Sequence, residues 1–175
     1  MALSKIDAAN FLDGTLPDTN INNASLDNVT ALPGAIPTGK VLQVVQDTLT
    51  SQFSTSSSTY ADTGLTASIT PSSTSNKILI LLDMLTCTVS ANANNGIAVR
   101  ILRDTTEVFT DAWFIYNFDG TAIQQNSGSF QYTDSPSSTS SLTYKVQLKA
   151  RTNSASINPN NQIASMTLME IAGWL

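Results

Sequence analysis

The sequence predicts an all-β fold, an antiparallel jelly-roll sandwich preceded by an extended N-terminal arm. Residues 39–175 consist of short apolar runs separated by stretches rich in Ser, Thr and Asn, a rhythm typical of short strands joined by turns. Residues 142–151 alternate apolar and polar side chains, as expected of an antiparallel strand with one buried face. No segment of residues 39–175 carries a convincing helical pattern.

The first 38 residues predict an arm rather than part of the sandwich. Apolar residues come singly there, with Asn, Asp, Thr and Pro between them, so this segment lacks the pattern of a core-forming domain. Pro17, Pro33 and Pro37 favour extended backbone in the residues before them. We therefore divide the chain into an anchoring arm, residues 1–38, and a head domain, residues 39–175. The residues expected to anchor the arm are Ile6, Phe11, Leu12, Leu16, Ile21, Leu26, Val29 and Leu32.

Two kinds of pattern place the strands of the head. Asn95-Gly96 and Asp119-Gly120 are pairs that favour tight turns, because both residue types tolerate positive φ. The run 77–82 is apolar throughout, which predicts a central strand covered on both faces. The predicted strands are 41–46, 60–69 with a break at Gly64, 77–82, 96–102, 113–118, 129–133, 142–151 and 163–171.

Two of these strands, 77–82 and 163–171, have little polar face to offer water. A lone sandwich covers one face of each sheet, so a strand with two apolar faces favours self-association. We expect a homo-oligomer, with a trimer as the favoured form; the alternative is that both are central strands of a curled sheet. The residues predicted to lie at the trimer interface are Met166, Leu168, Met169 and Ile171.

Composition excludes several functional classes. The chain has 8 Lys and Arg residues and a net charge of −5, which disfavours binding to nucleic acid or to an anionic membrane surface. It has no His and one Cys, so zinc sites built from several Cys residues and Cys–His dyads are excluded. We expect Cys87 to be a buried apolar residue, and we expect no metal, no cofactor and no enzymatic activity. No apolar run reaches the ~20 residues of a membrane span, and the N-terminus does not resemble a signal peptide.

Acidic and aromatic residues supply the remaining candidates for a site. Asp111 with Asp119, and Asp104 with Glu107, are carboxylate pairs of the kind that a glycosidase uses, although solvated surface is the favoured interpretation. The aromatic segment 113–119 carries the side chains that bind sugars, rings for stacking and amides or carboxylates for hydroxyl groups. Packing of these rings in the core or at an interface is the alternative. The predicted ligand-binding residues are Trp113, Tyr116, Asn117 and Asp119.

The chain also resembles virion structural proteins of tailed phages, marine and cyanobacterial ones in particular. The resemblance lies in residues 39–46 (GKVLQVVQ), 60–80 (YADTGLTASITPSSTSNKILI) and the ending 166–173 (MTLMEIAG). Residues 19–33 (TNINNASLDNVTALP) are similar to connecting segments of tail-fibre proteins. The resemblance implies a trimeric jelly roll similar to the C1q/TNF type, with its last strand near the trimer axis. The short arm departs from the long shaft of most fibres, which leaves attachment to tail or capsid open.

Three functions follow as hypotheses. In the first, the chain is a non-enzymatic short tail fibre or knob, located in the virion, whose arm binds other virion proteins and whose head binds a glycan or receptor on the host surface. In the second, it is a capsid cement or decoration protein whose arm binds the capsid lattice. In the third, it is a glycan-cleaving tailspike domain, which requires a cleft with two close carboxylates.

Overall fold

The computed structural model describes residues 40–118, 120–159 and 161–173, which fold into ten β-strands in two antiparallel sheets. No helix occurs in these ranges, and so they contain no helix long and apolar enough to cross a membrane. The predicted all-β antiparallel sandwich is confirmed. The strands are β1 (Val41–Leu49), β2 (Phe53–Thr55), β3 (Ala61–Ile69), β4 (Lys77–Val89), β5 (Asn95–Arg103), β6 (Thr106–Asn117), β7 (Gln124–Asp134), β8 (Leu142–Ala150), β9 (Ala155–Ile157) and β10 (Ala164–Ile171).

The larger sheet is centred on β4, the longest strand. On one side β4 pairs with β7. On its other side β10 and β9 lie end to end, β10 along residues 77–84 and β9 along residues 87–89. Strand β1 extends the sheet beyond β10, and β2 extends it beyond β9. The sheet is therefore four strands wide at both ends, with β4 in its interior as the apolar run predicted.

The smaller sheet has the order β3-β8-β5-β6. Its one hairpin joins β5 to β6 through Asp104, which has a φ of 54°. The connections from β3 to β4, β4 to β5, β6 to β7 and β7 to β8 each cross from one sheet to the other. This alternation between two four-strand layers gives the jelly-roll-like sandwich that the sequence predicted.

The core lies between the two sheets and follows the period of two that strands impose. Along β3 and β10 every second residue is buried, so each strand turns one face to the facing sheet. The fully buried side chains include Leu65, Ile80, Ile101 and Leu168. Cys87 is also fully buried, as expected, and burial together with the nearby Asp83 raises the pKa of its thiol to about 12.

A polar cluster joins the sheets at one end of this core. Asp134 of β7 accepts hydrogen bonds at the same oxygen from Arg103, at 2.5 Å, and from the hydroxyl of the fully buried Tyr144, at 2.6 Å. Burial raises the pKa of Tyr144, and the neighbouring Asp134 carboxylate raises it further. Tyr144 therefore donates its proton while Asp134 and Arg103 form an ion pair.

The predicted Asn95-Gly96 turn differs from the structure. Asn95 and Gly96 begin β5, where both are buried; the turn runs from Asn92 to Asn95, with Asn94 at a φ of 62°. The Asn95 side chain explains this, because it accepts bonds from the backbone N–H groups of Gly96 and Thr152 and donates to Ser90 and Ser154. An Asn that binds tertiary partners is better satisfied inside the fold than in an exposed turn.

The predicted break at Gly64 is present as an irregularity in β3. Pairing with β8 shifts in register between Asp62 and Thr66, and Gly64 has a φ of 93°, which side chains rarely tolerate. The anchoring arm and its residues lie outside the described residues, so the division at residue 38 stays a prediction.

Candidate functional site

The candidate site begins at an irregularity in β6 that turns Trp113 outward. Ile97 pairs with Ile115 and Val99 pairs with Asp111, so three residues of β6 lie opposite one residue of β5. The Asp111 carboxylate accepts the Trp113 backbone N–H at 2.8 Å and stabilises this bulge. Trp113 consequently stands 53% exposed at the edge strand of the smaller sheet.

Arg151 reaches Trp113 from the far side of β5. It follows β8 directly, and its side chain passes over Gly96, where an added Cβ would lie 3.1 Å from Arg151 Cδ and 2.4 Å from a backbone oxygen of β6. The guanidinium carbon ends 3.3 Å from the centre of the Trp113 ring, and Nη1 donates to the carbonyl of Ala112 at 3.0 Å. Because Gly96 has no side chain, Arg151 can cross β5 and form a cation–π pair with Trp113 of β6.

Further aromatic rings continue the exposed surface along β6. Tyr116 lies edge-on to Trp113 with 4.7 Å between ring centres, and Phe118 follows at 6.3 Å from Tyr116. The Tyr116 hydroxyl donates to Asn94 Oδ1 at 2.5 Å. Phe118 is 79% exposed and Ile123, across the connection to β7, is 63% exposed. A shallow cavity of about 300 Å³ lies beside Tyr116, Phe118 and Gln124.

Of the predicted ligand-binding residues, the structure therefore places Trp113 and Tyr116 together on the surface. Asn117 is different, because it is 2% exposed and its amide is fully engaged: Nδ2 donates to the carbonyl of Ala122 at 2.9 Å and Oδ1 accepts the N–H of Gly120 at 3.1 Å. These hydrogen bonds stabilise the connection from β6 to β7, and they leave Asn117 no free group for a ligand. Asp119 lies outside the described residues.

A second ring with cations lies on the same outer face. Tyr60, just before β3, has the guanidinium carbon of Arg100 4.4 Å and Lys149 Nζ 4.6 Å from its ring centre. Its hydroxyl is hydrogen-bonded to Thr110 on β6 at 3.2 Å. Tyr60, Lys149 and Arg151 were not candidates from sequence. Lys149 and Arg151 carried a signal, since both lie on the polar face of the alternating segment 142–151.

The outer face of the larger sheet is apolar at one end. Val44, Met169 and Leu79 pair side by side across β1, β10 and β4, and Leu81 and Ile171 lie on the same face. We call these five residues the apolar patch. Next to it a shallow cavity of about 550 Å³ is lined by side chains that are mainly hydroxyl, amide or carboxylate groups, among them Asp83, Gln131, Ser165 and Thr167.

The four predicted interface residues fall on opposite faces of β10. Met166 and Leu168 are fully buried against the smaller sheet of the same chain, so in this fold they contribute to the core and not to a surface. Met169 and Ile171 are half-buried on the outer face. Of the four residues predicted for the trimer interface, only Met169 and Ile171 lie where a second chain could contact them, because a strand exposes alternate residues to one side.

The described carboxylates of the predicted pairs each bind a different partner, and Asp119 lies outside the described residues. Asp104 accepts the backbone N–H of Thr143 at 3.0 Å, Asp111 serves the β6 bulge, and Glu107 pairs with Arg100 at 3.3 Å. Across the described ranges no group of three or more His, Cys, Asp or Glu residues is placed to hold a metal ion.

Glu170, the most buried carboxylate among the described residues, has a structural role. It is 1% exposed at the end of β10 and accepts hydrogen bonds from Asn76 at 2.5 Å, Gln43 at 2.6 Å, and Ser72 N and Oγ at 2.7 and 2.8 Å. Burial by itself would raise the pKa of Glu170, but these bonds to the charged form outweigh it and lower the pKa below its usual value. Glu170 thus ties the connection from β3 to β4 to the larger sheet.

Comparisons with known proteins give distant similarity in fold. No protein-family model matches the chain, and no curated protein matches it. Among solved structures, the chain is similar to a mutant VP2 protein of infectious bursal disease virus in derived T=1 particles, with 13% identity and a TM-score of 0.41 over 77% of this chain and 38% of that one. It is also similar to the Gx strain of the same virus, with 14% identity and a TM-score of 0.41 over 75% and 37%. The chain spans less than two fifths of those chains, and a likeness this distant carries no argument about function.

Proposed function

We propose that this chain is a non-enzymatic structural protein of a tailed-phage virion, a short fibre or knob whose head binds the host surface. The virion assignment rests on the resemblance of residues 39–46, 60–80 and 166–173 to phage virion proteins. The attachment role rests on one observation above all, the aromatic surface formed by Trp113 and Tyr116 on the edge strand β6 and by Phe118 just after it. Exposed rings on a rigid strand suit stacking on the flat faces of sugars.

The proposal includes a trimer formed through the apolar patch. Val44 is 56% exposed although it lies among Leu79, Met169 and Ile171, and a second copy of the chain would cover this surface. The patch lies on the larger sheet and the aromatic surface on the edge of the smaller sheet, so assembly leaves the aromatic surface free. Three weak sugar sites in one particle would then act together through their effective concentration.

In this proposal residues 1–38 anchor the protein to other virion proteins. The capsid decoration role stays the second candidate, because the apolar patch is equally suited to a capsid subunit. The tailspike hypothesis gains no support from Asp104, Asp111 and Glu107, since these carboxylates bind backbone N–H groups and a cation.

Immunogold electron microscopy of purified particles, with antibody raised against the full chain, tests the assignment. We expect label at the tail end. Label scattered over the capsid would replace the attachment role with decoration, and an absence of label on every particle would contradict the virion assignment itself.

A further inference from the structure

The outer face of the smaller sheet concentrates positive charge in an acidic chain. Four of the seven Lys and Arg residues that the structure describes lie on it, although the net charge is −5. Two of the four are neutralised: Arg100 by Glu107 at 3.3 Å and Lys145 by Asp62 at 3.1 Å. The other two, Lys149 and Arg151, form no ion pair with a carboxylate of the described residues.

These two unpaired cations are held in place by aromatic rings instead. Lys149 Nζ lies 4.6 Å from the Tyr60 ring centre, and the Arg151 guanidinium lies 3.3 Å from the Trp113 ring centre. They are two residues apart on one face of the chain, which sets their Cα atoms about 7 Å apart. Two cations fixed beside two rings form a surface with a defined spacing of charge.

The hydrogen-bonding capacity of Arg151 is also incompletely used. Nη1 donates to Ala112, and Nη2 forms no hydrogen bond with the described residues, whereas Nε is buried and out of reach of a ligand. A guanidinium presents its donors in a planar fork that matches a carboxylate or sulfate. The group is already oriented by the Trp113 ring and by Gly96 beneath it, so an anion would meet it with little loss of side-chain freedom.

We propose that Lys149 and Arg151, with Trp113 and Tyr60, form a binding site for an anionic saccharide. The acid group of the sugar pairs with the two cations, and the face of the sugar ring stacks on the exposed part of Trp113. The proposal rests on the host-attachment role and gives its ligand class. A neutral sugar fits less well, because Asn117, the amide expected to bind hydroxyl groups, is buried and fully bonded.

The test uses the full-length protein on a biosensor coated with two acidic polysaccharides and their matched neutral forms. Polygalacturonate is paired with its methyl ester, and a sulfated galactan with its desulfated form. We expect the charged forms to bind about ten-fold more tightly, and this difference to shrink as ionic strength rises from about 0.01 M to about 1 M.

Variants assign the binding to residues. Lys149→Gln and Arg151→Gln are each expected to weaken binding of the charged forms about five-fold, and Trp113→Ala about ten-fold. Lys145→Gln is the matched control, because Lys145 lies on the same strand and face but already pairs with Asp62. Lys149→Gln removes no hydrogen bond, so it tests the site even if Arg151→Gln alters the fold.

Two results overturn the proposal: charged and neutral forms that do not differ in binding, or Lys149→Gln and Arg151→Gln proteins that bind as the wild type does. Failure of the attachment role looks different. Immunogold label over the capsid, together with charge-dependent binding that Arg151→Gln weakens, would remove attachment and leave the site. Label at the tail end without charge dependence would keep attachment and remove the site.

Discussion

The two outer faces of the sandwich differ in chemistry although their inner faces are alike. The outer face of the larger sheet carries the apolar patch. Among the described Lys and Arg residues, only Lys77 lies at the end of this sheet and only Lys40 lies beside it. The outer face of the smaller sheet carries the aromatic rings and the cations Arg100, Lys145 and Lys149. Both inner faces fill one core and are therefore apolar, whereas the outer faces can differ in their side chains. The proposed self-association and the proposed ligand binding therefore involve separate sheets.

The largest effect is expected from a charge placed in the apolar patch. Met169→Asp should convert the proposed trimer to a monomer, a threefold drop in mass by light scattering at micromolar concentration, because an unpaired carboxylate is costly inside an apolar interface. Ser68→Asp, on the exposed face of the smaller sheet, should leave the mass unchanged. A wild-type protein that is already a monomer would remove the symmetry argument altogether.

The next largest effect compares two neighbours on β10. Leu168→Ala should lower the free energy of unfolding by about 3 kcal/mol, because it leaves a cavity between the sheets. Met169→Ala, on the outer face, should cost less than about 1 kcal/mol when both variants are compared by urea unfolding at a protein concentration low enough to keep the protein monomeric. Equal costs for both would contradict the assignment of opposite faces to these two residues.

An intermediate effect concerns pH and two carboxylates, Glu170 and Asp62, whose pKa values are lowered in the fold. Hydrogen bonds lower the pKa of Glu170 in the fold, so its stabilising contribution is present above the unfolded pKa and is lost as pH falls through the folded pKa. Glu170→Gln should cost about 2 kcal/mol at neutral pH and should flatten the fall of Tm with acid.

Asp62 of the smaller sheet is the control for that experiment. Its pKa is also lowered, first by a hydrogen bond from Gln147, but its side chain is 55% exposed and its bonds are screened by water. Asp62→Asn should therefore change stability by less than about 0.5 kcal/mol. A larger acid dependence for Asp62 than for Glu170 would be inconsistent with burial as the deciding factor.

A smaller effect than that of Glu170→Gln tests the cation–π pair itself. Arg151→Gln should reduce stability by about 1 kcal/mol, because the Trp113 ring loses its cation and Ala112 loses a donor. The fluorescence of Trp113 should change in the same variant and stay unchanged in Lys145→Gln. Unaltered emission in Arg151→Gln would show that the guanidinium does not lie against the ring in solution.

Much of the fold was predictable because strand patterning is a local property. The alternation in residues 142–151 gave β8, and the apolar run 77–82 gave the central strand β4, since both patterns report which faces are covered. The Asn95-Gly96 turn was wrong, because the bonds that hold Asn95 come from Ser90, Ser154 and Thr152, and the last two lie more than fifty residues away in sequence.

The candidate site was predictable in part for the same reason. The aromatic residues of β6 were candidates because of their residue type alone, and Trp113 and Tyr116 do lie at the surface. The β6 bulge, the passage of Arg151 over Gly96 and the position of Tyr60 depend on register between strands, which no local pattern specifies.

By itself the sequence determined the fold class, the position of β4 inside its sheet and the absence of histidine, since composition and period act residue by residue. The tertiary structure decided which face of each strand meets the core, and so moved Met166 and Leu168 inside and left Met169 and Ile171 outside. It also decided which cations meet a carboxylate and which meet a ring, because such partners come from distant strands and are fixed only when the two sheets close on each other.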